Sequence, residues 1–122
     1  MPRVLILDHQ VQDVIRLEDT LKNAGYEVTS MIATFGILAK FDFEKPDIFL
    51  FNPDMPNTDT DALLATLTAS NSMKNMVIVL ICDGDAGSES IAEYCKQMQL
   101  NGYYMKAGGF AGIVDYLKQF YR

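Results

Sequence analysis

The sequence has little of what several large classes of protein require. Its 122 residues include no tryptophan, one histidine, two cysteines and four prolines. No apolar run approaches the roughly 18 residues that a membrane-spanning helix needs. The chain passes from Met1 through Arg3 into an apolar run without the pattern of a signal peptide. We therefore expect a cytoplasmic protein that does not interact with a membrane.

Charge and cysteine content exclude further classes. Sixteen acidic residues against ten basic ones give a net charge of −6, and the basic residues do not cluster. Direct binding of nucleic acid requires a basic surface, so we expect no nucleic acid partner. Cys82 and Cys95 fit no zinc or redox spacing, and we expect both to be reduced and packed in the core.

What the sequence does contain is an alternation of short apolar runs and helical stripes. Strands are predicted at Val4–Leu7, Glu27–Ser30, Ile48–Phe51, Met76–Ile81 and Gly102–Met105. Helices are predicted at Val11–Ala24, at Ala33–Phe41, from Thr58 or Asp59, from Ser88 or Ser90, and around Ile113, Val114 and Leu117. Strands that are apolar on both faces indicate a parallel sheet with helices on both sides. The sequence therefore predicts a single α/β domain, residues 1–122, with a doubly wound five-stranded parallel sheet in a three-layer sandwich.

The second of these helices is expected to be short. Phe35, Leu38 and Phe41 are spaced by three residues, and we expect them to face the core. Pro46 disfavours helical backbone in the residue before it, so the helix is expected to end ahead of that position.

Asn52 stands at the most informative point of the pattern. It directly follows the central apolar run Ile48–Phe51, and Pro53 and Pro56 prevent the strand from continuing. In open α/β sheets, ligands and reactive groups collect at the carboxyl ends of the strands. Asn52 is therefore predicted to mark the functional edge of the sheet.

Short motifs flank the third and fifth strands. Lys45–Asp47 precedes the third strand, Met55-Pro56 follows it, and Lys106 closes the fifth strand three residues after the aromatic Tyr103. Taken in order, these motifs resemble the receiver domain of two-component response regulators over nearly the whole chain. The resemblance implies the flavodoxin-like strand order 2-1-3-4-5 and a non-enzymatic domain that acts in signal transduction by a phosphorelay.

The resemblance also implies which residues should form a phosphorylation site. Receivers accept a phosphoryl group on an aspartate that closes strand three, and an acidic pair closing strand one helps to hold a divalent cation. A hydroxyl closing strand four and a lysine closing strand five hold the phosphoryl oxygens. Here these positions fall at Asn52, at the pair Asp8 and His9, at Ile81 and at Lys106. A carboxamide cannot form an acyl phosphate, so the chain is interpreted as a degenerate pseudo-receiver that uses no cofactor and binds Mg²⁺ weakly or not at all.

Alternative roles for these residues stay open. Asp8 and Lys106 could be the remnant of a phosphate site, although an ion pair bridged by Asn52 is favoured because structural ion pairs are common. Asp54 could be a non-standard phosphoacceptor that works with Mg²⁺, which makes Asp8 and Asp54 weak metal candidates. Asp54 lies two residues beyond the acceptor position at Asn52, which argues against this role, because in-line transfer of a phosphoryl group depends on tight placement of the acceptor. His9 is a weak signal for a transition metal, and a small-molecule ligand at the same edge is a further possibility.

Tyrosines near the carboxyl-terminal third suggest where a partner could bind. Tyr94, Tyr103, Tyr104 and Tyr116 lie in or near the fourth helix, the fifth strand and the fifth helix, which form the usual partner surface of receivers. Tyrosine is enriched at protein interfaces, but it also caps the edge of a core with a solvated hydroxyl. The sequence predicts a protein partner on this face, with a homodimer as one possibility, and does not separate the two roles of the tyrosines.

Overall fold

In the part of the chain that the structure describes, five strands alternate with five helices. The computed structural model describes residues 2–71, 74–84 and 88–121. The elements in chain order are β1 (Arg3–Leu7), α1 (Val11–Asn23), β2 (Glu27–Met31), α2 (Ile37–Glu44), β3 (Ile48–Phe51), α3 (Thr60–Ala69), β4 (Val77–Cys82), α4 (Ser88–Gln97), β5 (Gly102–Met105) and α5 (Ile113–Leu117). Among the described residues, no helix is both long enough and apolar enough to cross a membrane.

The strands form one parallel sheet in the order β2-β1-β3-β4-β5. This order confirms the doubly wound fold predicted from the sequence. Because all strands are parallel, the residues that follow β1, β3, β4 and β5 meet at one edge of the sheet. These residues are Asp8, Asn52, Asp83 and Lys106.

The core lies on both faces of the sheet, as the apolar strands require. Successive side chains of a strand point to opposite faces, so Phe49 and Phe51 pack on the side of α2, α3 and α4. Ile48 and Leu50 pack on the side of α1 and α5. These two sides are called the α2–α4 face and the α1/α5 face. Phe49 is fully buried, and its ring centroid lies 4.8 Å from that of Phe41.

Several local predictions are confirmed. Asp59 is the N-cap of α3, and its carboxylate accepts a hydrogen bond from the Ala62 N–H at 3.0 Å. Cys82 and Cys95 are free thiols and both are buried on the α2–α4 face. The first helix ends within one residue of the predicted Ala24, and Gly25 follows it with a φ of 97°, a backbone conformation that glycine adopts without steric cost.

The prediction for the second helix is wrong in its start and in two of the three residues of its buried face, whereas the burial of Phe41 is confirmed. Gly36 has a left-handed φ of 79°, so α2 begins only at Ile37. The buried residues of α2 are then Ile37 and Phe41, which are separated by four positions and share one side of the helix. Phe35 precedes the helix and is 95% exposed, and Leu38 is 46% exposed.

Candidate functional site

Lys106 lies at the centre of a group of carboxylates at the carboxyl edge of the sheet. Its Nζ atom is 2.6 Å from Asp8 Oδ2, 2.8 Å from Asp13 Oδ2 and 3.0 Å from Asp83 Oδ1. The Lys106 and Asp8 side chains are only 8% and 4% exposed. The ion pair between Asp8 and Lys106 that the sequence suggested is therefore present, and two further carboxylates join it.

Asn52 bridges this group through its side-chain amide. The residue is fully buried, and its Nδ2 donates hydrogen bonds to Asp8 Oδ1 at 3.0 Å and to Asp83 Oδ2 at 3.2 Å. Its Oδ1 accepts a hydrogen bond from the Asp54 N–H at 2.9 Å. Both ends of the carboxamide are thus engaged, and an amide is the group that can donate to two carboxylates while accepting from a backbone N–H.

Local structure after β1 places two of the carboxylates. Asp8 Oδ1 accepts the backbone N–H of Gln10 at 3.0 Å, which fixes the turn before α1 starts at Val11. Asp13 then lies in the first turn of α1, where an acidic residue is favoured by the helix dipole. The Gln10 side chain donates to Asp83 Oδ2 at 3.1 Å and so ties the β1–α1 loop to the end of β4.

The charges of the site hold one another in their ionised forms. Burial acts to lower the pKa of Lys106, but its hydrogen bonds to Asp13, Asp8 and Asp83 outweigh this effect and raise the pKa above its usual value of 10.5. Burial acts to raise the pKa of Asp83, but the hydrogen bonds from Lys106 and Asn52 outweigh it, so that pKa falls below its usual value of 3.8. Both groups therefore stay charged throughout the neutral pH range.

Two residues of the group, Asp13 and Asp83, were not identified from the sequence. Asp83 directly follows β4. Functional groups are expected at the carboxyl ends of the strands, as for Asn52, but the predicted strand ended at Ile81, one residue too early to point to Asp83. Asp13 carried only the weak signal of an acidic residue in the first turn of a helix. Its contact with Lys106 spans 93 positions and depends on how α1 packs on the sheet.

Ile81 does not close β4, contrary to the sequence prediction. The strand continues to Cys82, and Ile81 is buried on the α1/α5 face. Cys82 lies on the α2–α4 face, the same face as Tyr103. A shift of one residue along a strand moves the side chain to the opposite face, so Cys82 stands where the resemblance to receivers expects a hydroxyl. Burial raises the pKa of the Cys82 thiol to about 12, which keeps it protonated.

His9 lies beside the group but is not part of its hydrogen-bond network. Its Nδ1 is 3.7 Å from Asp8 Oδ1, and among the described residues this buried nitrogen has no hydrogen-bond partner. In residues 2–71, 74–84 and 88–121, no cluster of three or more histidine, cysteine, aspartate or glutamate side chains could hold a metal ion.

The arrangement does not fit the divalent cation that the resemblance implies. Asp8 Oδ1 accepts from Asn52 and Gln10, and Asp8 Oδ2 is paired with the Lys106 ammonium. Asn52 turns its N–H₂ group, and not an oxygen, towards the carboxylates. Mg²⁺ needs near-octahedral oxygen ligands, whereas here a protein cation already occupies the space between the carboxylates.

Asp54 stands apart from this group. Its side chain is exposed and takes part in none of the ion pairs around Lys106. Its backbone is linked to the site through the N–H that donates to Asn52 Oδ1.

Three of the four tyrosines named from the sequence have their hydroxyls bonded within the chain. The Tyr94 hydroxyl donates to the Asp61 carboxylate on α3. The Tyr116 hydroxyl accepts the backbone N–H of Tyr103 at 3.0 Å. The Tyr104 hydroxyl donates to a backbone carbonyl in the loop before α5 at 2.8 Å. These bonds favour the role of capping the edge of the core.

The tyrosines also do not form one patch. Tyr103 packs on the α2–α4 face, whereas Tyr104 and Tyr116 pack on the α1/α5 face, with ring centroids 5.9 Å apart. The Tyr116 hydroxyl crosses the edge strand β5 directly over Gly102, where an added Cβ would collide with it. Glycine at this position therefore allows Tyr116 to cover an N–H of the edge strand.

Solved structures share this fold over nearly the entire chain. The chemotaxis response regulator CheY4 of Vibrio cholerae is 20% identical in sequence, with a TM-score of 0.86 and coverage of 98% of both chains. A putative response regulator from Chloroflexus aurantiacus is 22% identical, with a TM-score of 0.86 and coverage of 98% of this chain and 96% of the other. The Mn²⁺-bound form of the response regulator Rcp1 is 16% identical, with a TM-score of 0.76 and coverage of 99% and 94%.

The comparisons define the fold class. No family model and no curated protein sequence matches the chain, so the likeness is one of structure. Together with the strand order, this structural likeness shows that the chain has the receiver-domain fold of two-component response regulators.

Proposed function

We propose that this domain is a phosphorylation-independent pseudo-receiver: a protein-interaction module of a two-component type of signalling system, located in the cytoplasm, and not an enzyme. The observation that carries the proposal is the buried Asn52 carboxamide, which closes β3 and donates hydrogen bonds to Asp8 and Asp83. A neutral amide at this position offers no carboxylate oxygen to attack a phosphorus centre.

The remainder of the site supports the same conclusion. In an active receiver the lysine that closes the fifth strand would hold a phosphoryl oxygen, but Lys106 is already surrounded by three carboxylates at 2.6–3.0 Å. The buried Cys82 thiol replaces the expected hydroxyl and is a weak hydrogen-bond donor. The ammonium therefore acts as an internal counter-ion, and the site is held in one electrostatic state.

The partner surface is a separate part of the proposal. The face made by α4, β5 and α5 stays the surface predicted from the resemblance, with a homodimer as one possibility. The hydroxyls of Tyr94, Tyr104 and Tyr116 are bonded within the chain. These tyrosines would therefore contribute to such a contact mainly through the surface of their rings, and less through hydrogen bonds from their hydroxyls.

A second function has one observation in its favour. Asp54 is exposed beside the site, which leaves its carboxylate accessible to a small phosphodonor. A phosphoaccepting receiver that uses Asp54 would require Mg²⁺, because the transferred phosphoryl group needs a cation to neutralise its developing charge. Dependence on Mg²⁺ therefore separates the two functions.

Mg²⁺ is expected to leave the stability of the wild-type domain unchanged. A ligand that binds only the folded state raises the unfolding free energy by RT ln(1 + L/Kd), where L is the ligand concentration, so a ligand far below its Kd has no effect. The thermal unfolding midpoint is measured in millimolar MgCl₂ and in NaCl of equal ionic strength, and the two values should agree. A higher midpoint in MgCl₂, absent in Asp54→Ala, would favour the phosphoaccepting function instead.

A further inference from the structure

A cavity of about 460 Å³ opens at the carboxyl edge of the sheet, next to the site around Lys106. It lies between the loop that follows β3, the end of β4 and the helices α3 and α4. Its size is within the range of about 300–1,000 Å³ found for ligand pockets. The inference drawn from it rests on the proposed function, because it concerns how an interaction module would recognise its partner.

The inner wall of the cavity is apolar. Leu80 and Cys82 come from β4, Ile91 from α4, and Pro53 from the loop after β3. Leu80 and Cys82 are themselves buried, so they form a fixed wall at the carboxyl edge of the sheet. Pro53 and Ile91 are partly exposed, so they can pack against a hydrocarbon chain, which is favourable because apolar area then leaves water.

The charged lining of the cavity is negative. Asp54, Asp61 and Asp83 line it, and no lysine or arginine is among the described residues that do. Asp83 is already paired with Lys106, but Asp54 and Asp61 take part in no ion pair within the described residues. Tyr94 also lines the cavity and spans from α4 to α3 through its hydrogen bond to Asp61.

We propose that this cavity receives an arginine side chain from a basic segment of the partner protein. The methylene stem of arginine would lie along Pro53 and Ile91, which are partly exposed, since long basic side chains bury their stems on apolar surface. The guanidinium would reach Asp54 and Asp61, whose carboxylates match its planar arrangement of donors. Tyr94 offers an aromatic ring to the same cation.

The chemistry of the cavity disfavours the other occupants. An acidic or phosphorylated ligand would be repelled by the three carboxylates, and nucleic acid would be repelled in the same way. A second copy of this chain carries the same net charge of −6, which opposes its approach to an acidic cavity. A lysine would satisfy the charge but lacks the planar guanidinium that pairs with two carboxylates and stacks on a ring.

The test uses the full-length domain labelled with ¹⁵N and a short, acetylated and amidated peptide that contains one arginine flanked by leucine and alanine. The matched control is the same peptide with citrulline, which keeps the shape of arginine but is neutral. We expect saturable changes in the amide signals of Cys82, Ile91 and Tyr94 with the arginine peptide alone. The changes should weaken as salt increases, because the carboxylates are exposed at the rim.

Two variants that each remove one negative charge distinguish binding in the cavity from attraction to the overall negative charge of the chain. Asp54→Asn should weaken the Kd of the arginine peptide by about two- to five-fold, the range for an exposed ion pair. Asp19→Asn removes the same charge from an exposed position on α1, away from the cavity, and should leave the Kd unchanged. Equal binding of the citrulline peptide, signal changes elsewhere on the domain, or equal weakening in both variants would each overturn the inference.

Failure of this inference is distinct from failure of the proposed function. A domain that ignores the arginine peptide and also accepts no phosphoryl group remains a phosphorylation-independent module whose partner is recognised elsewhere. A domain that accepts a phosphoryl group contradicts the proposed function whatever the peptide does.

Discussion

Lys106→Met should destabilise the fold by about 3–5 kcal/mol at neutral pH, the range seen when one partner is removed from a buried ion pair. The substitution keeps an unbranched side chain that is one atom shorter, but it leaves Asp8, Asp13 and Asp83 facing one another without a cation. Asp8 is 4% exposed, so water does little to compensate for the lost charge. Chemical denaturation at neutral pH measures the difference directly.

The matched control for this variant is Lys96→Met, the same change at an exposed position in the last turn of α4. Surface substitutions of this kind usually alter stability by no more than about 0.5 kcal/mol. A loss at Lys106 no larger than that at Lys96 would mean that the ammonium is not the counter-ion on which the carboxylates depend.

The difference between wild type and Lys106→Met should also depend on pH, in a direction set by the two pKa shifts. The raised pKa of Lys106 gives stability that is present below 10.5 and is lost as pH rises through the folded-state value. The lowered pKa of Asp83 gives stability that is present above 3.8 and is lost as pH falls through the folded-state value. The unfolding free energy of the wild type should therefore exceed that of the variant most between pH 3.8 and pH 10.5. The difference should shrink in acid as the carboxylates take up protons.

Asn52→Asp, which restores the carboxylate typical of a receiver, should destabilise this chain by on the order of 3 kcal/mol without a divalent cation. Two hydrogen bonds from Nδ2 would be lost, and a fourth carboxylate would lie about 3.0 Å from Asp8. Mg²⁺ should restore part of the lost unfolding free energy in this variant, because the new carboxylate oxygen is a ligand that Mg²⁺ prefers. Unfolding midpoints with and without MgCl₂ give both effects.

Asn57→Asp serves as the control for this substitution, because Asn57 is an exposed loop residue with a left-handed φ of 54°, which aspartate tolerates nearly as well as asparagine. Its stability should match that of the wild type, with and without Mg²⁺. Should Asn52→Asp prove as stable as Asn57→Asp in the absence of Mg²⁺, the amide would not be the group that holds the carboxylates together.

The fold could be predicted from the sequence because the central strands are apolar runs bounded by residues that end them. Ile48–Phe51 is enclosed by Asp47 and Asn52, and its alternate residues fill the cores on both faces of the sheet. The start of α2 could not be placed in the same way. The helical spacing of Phe35 and Leu38 is genuine, but the left-handed Gly36 lies between them and delays the helix by one turn.

The candidate site could be predicted only in part. Asp8, Asn52 and Lys106 each follow a strand, so the topology alone brings them together. Ile81 was assigned in place of Cys82 because an apolar run does not show where its last hydrogen-bonded residue lies, and the error also concealed Asp83. Asp13 joins the group through the packing of α1 against the sheet, which no local pattern encodes.

The measurement that tests the proposed function most directly is the intact mass of the domain after incubation with acetyl phosphate, with and without Mg²⁺. With Asn52 closing β3 and Lys106 committed to three carboxylates, no phosphoryl adduct is expected in either sample. A single Mg²⁺-dependent adduct that disappears in Asp54→Ala would contradict this expectation and would identify the domain as an active receiver with a displaced phosphoacceptor.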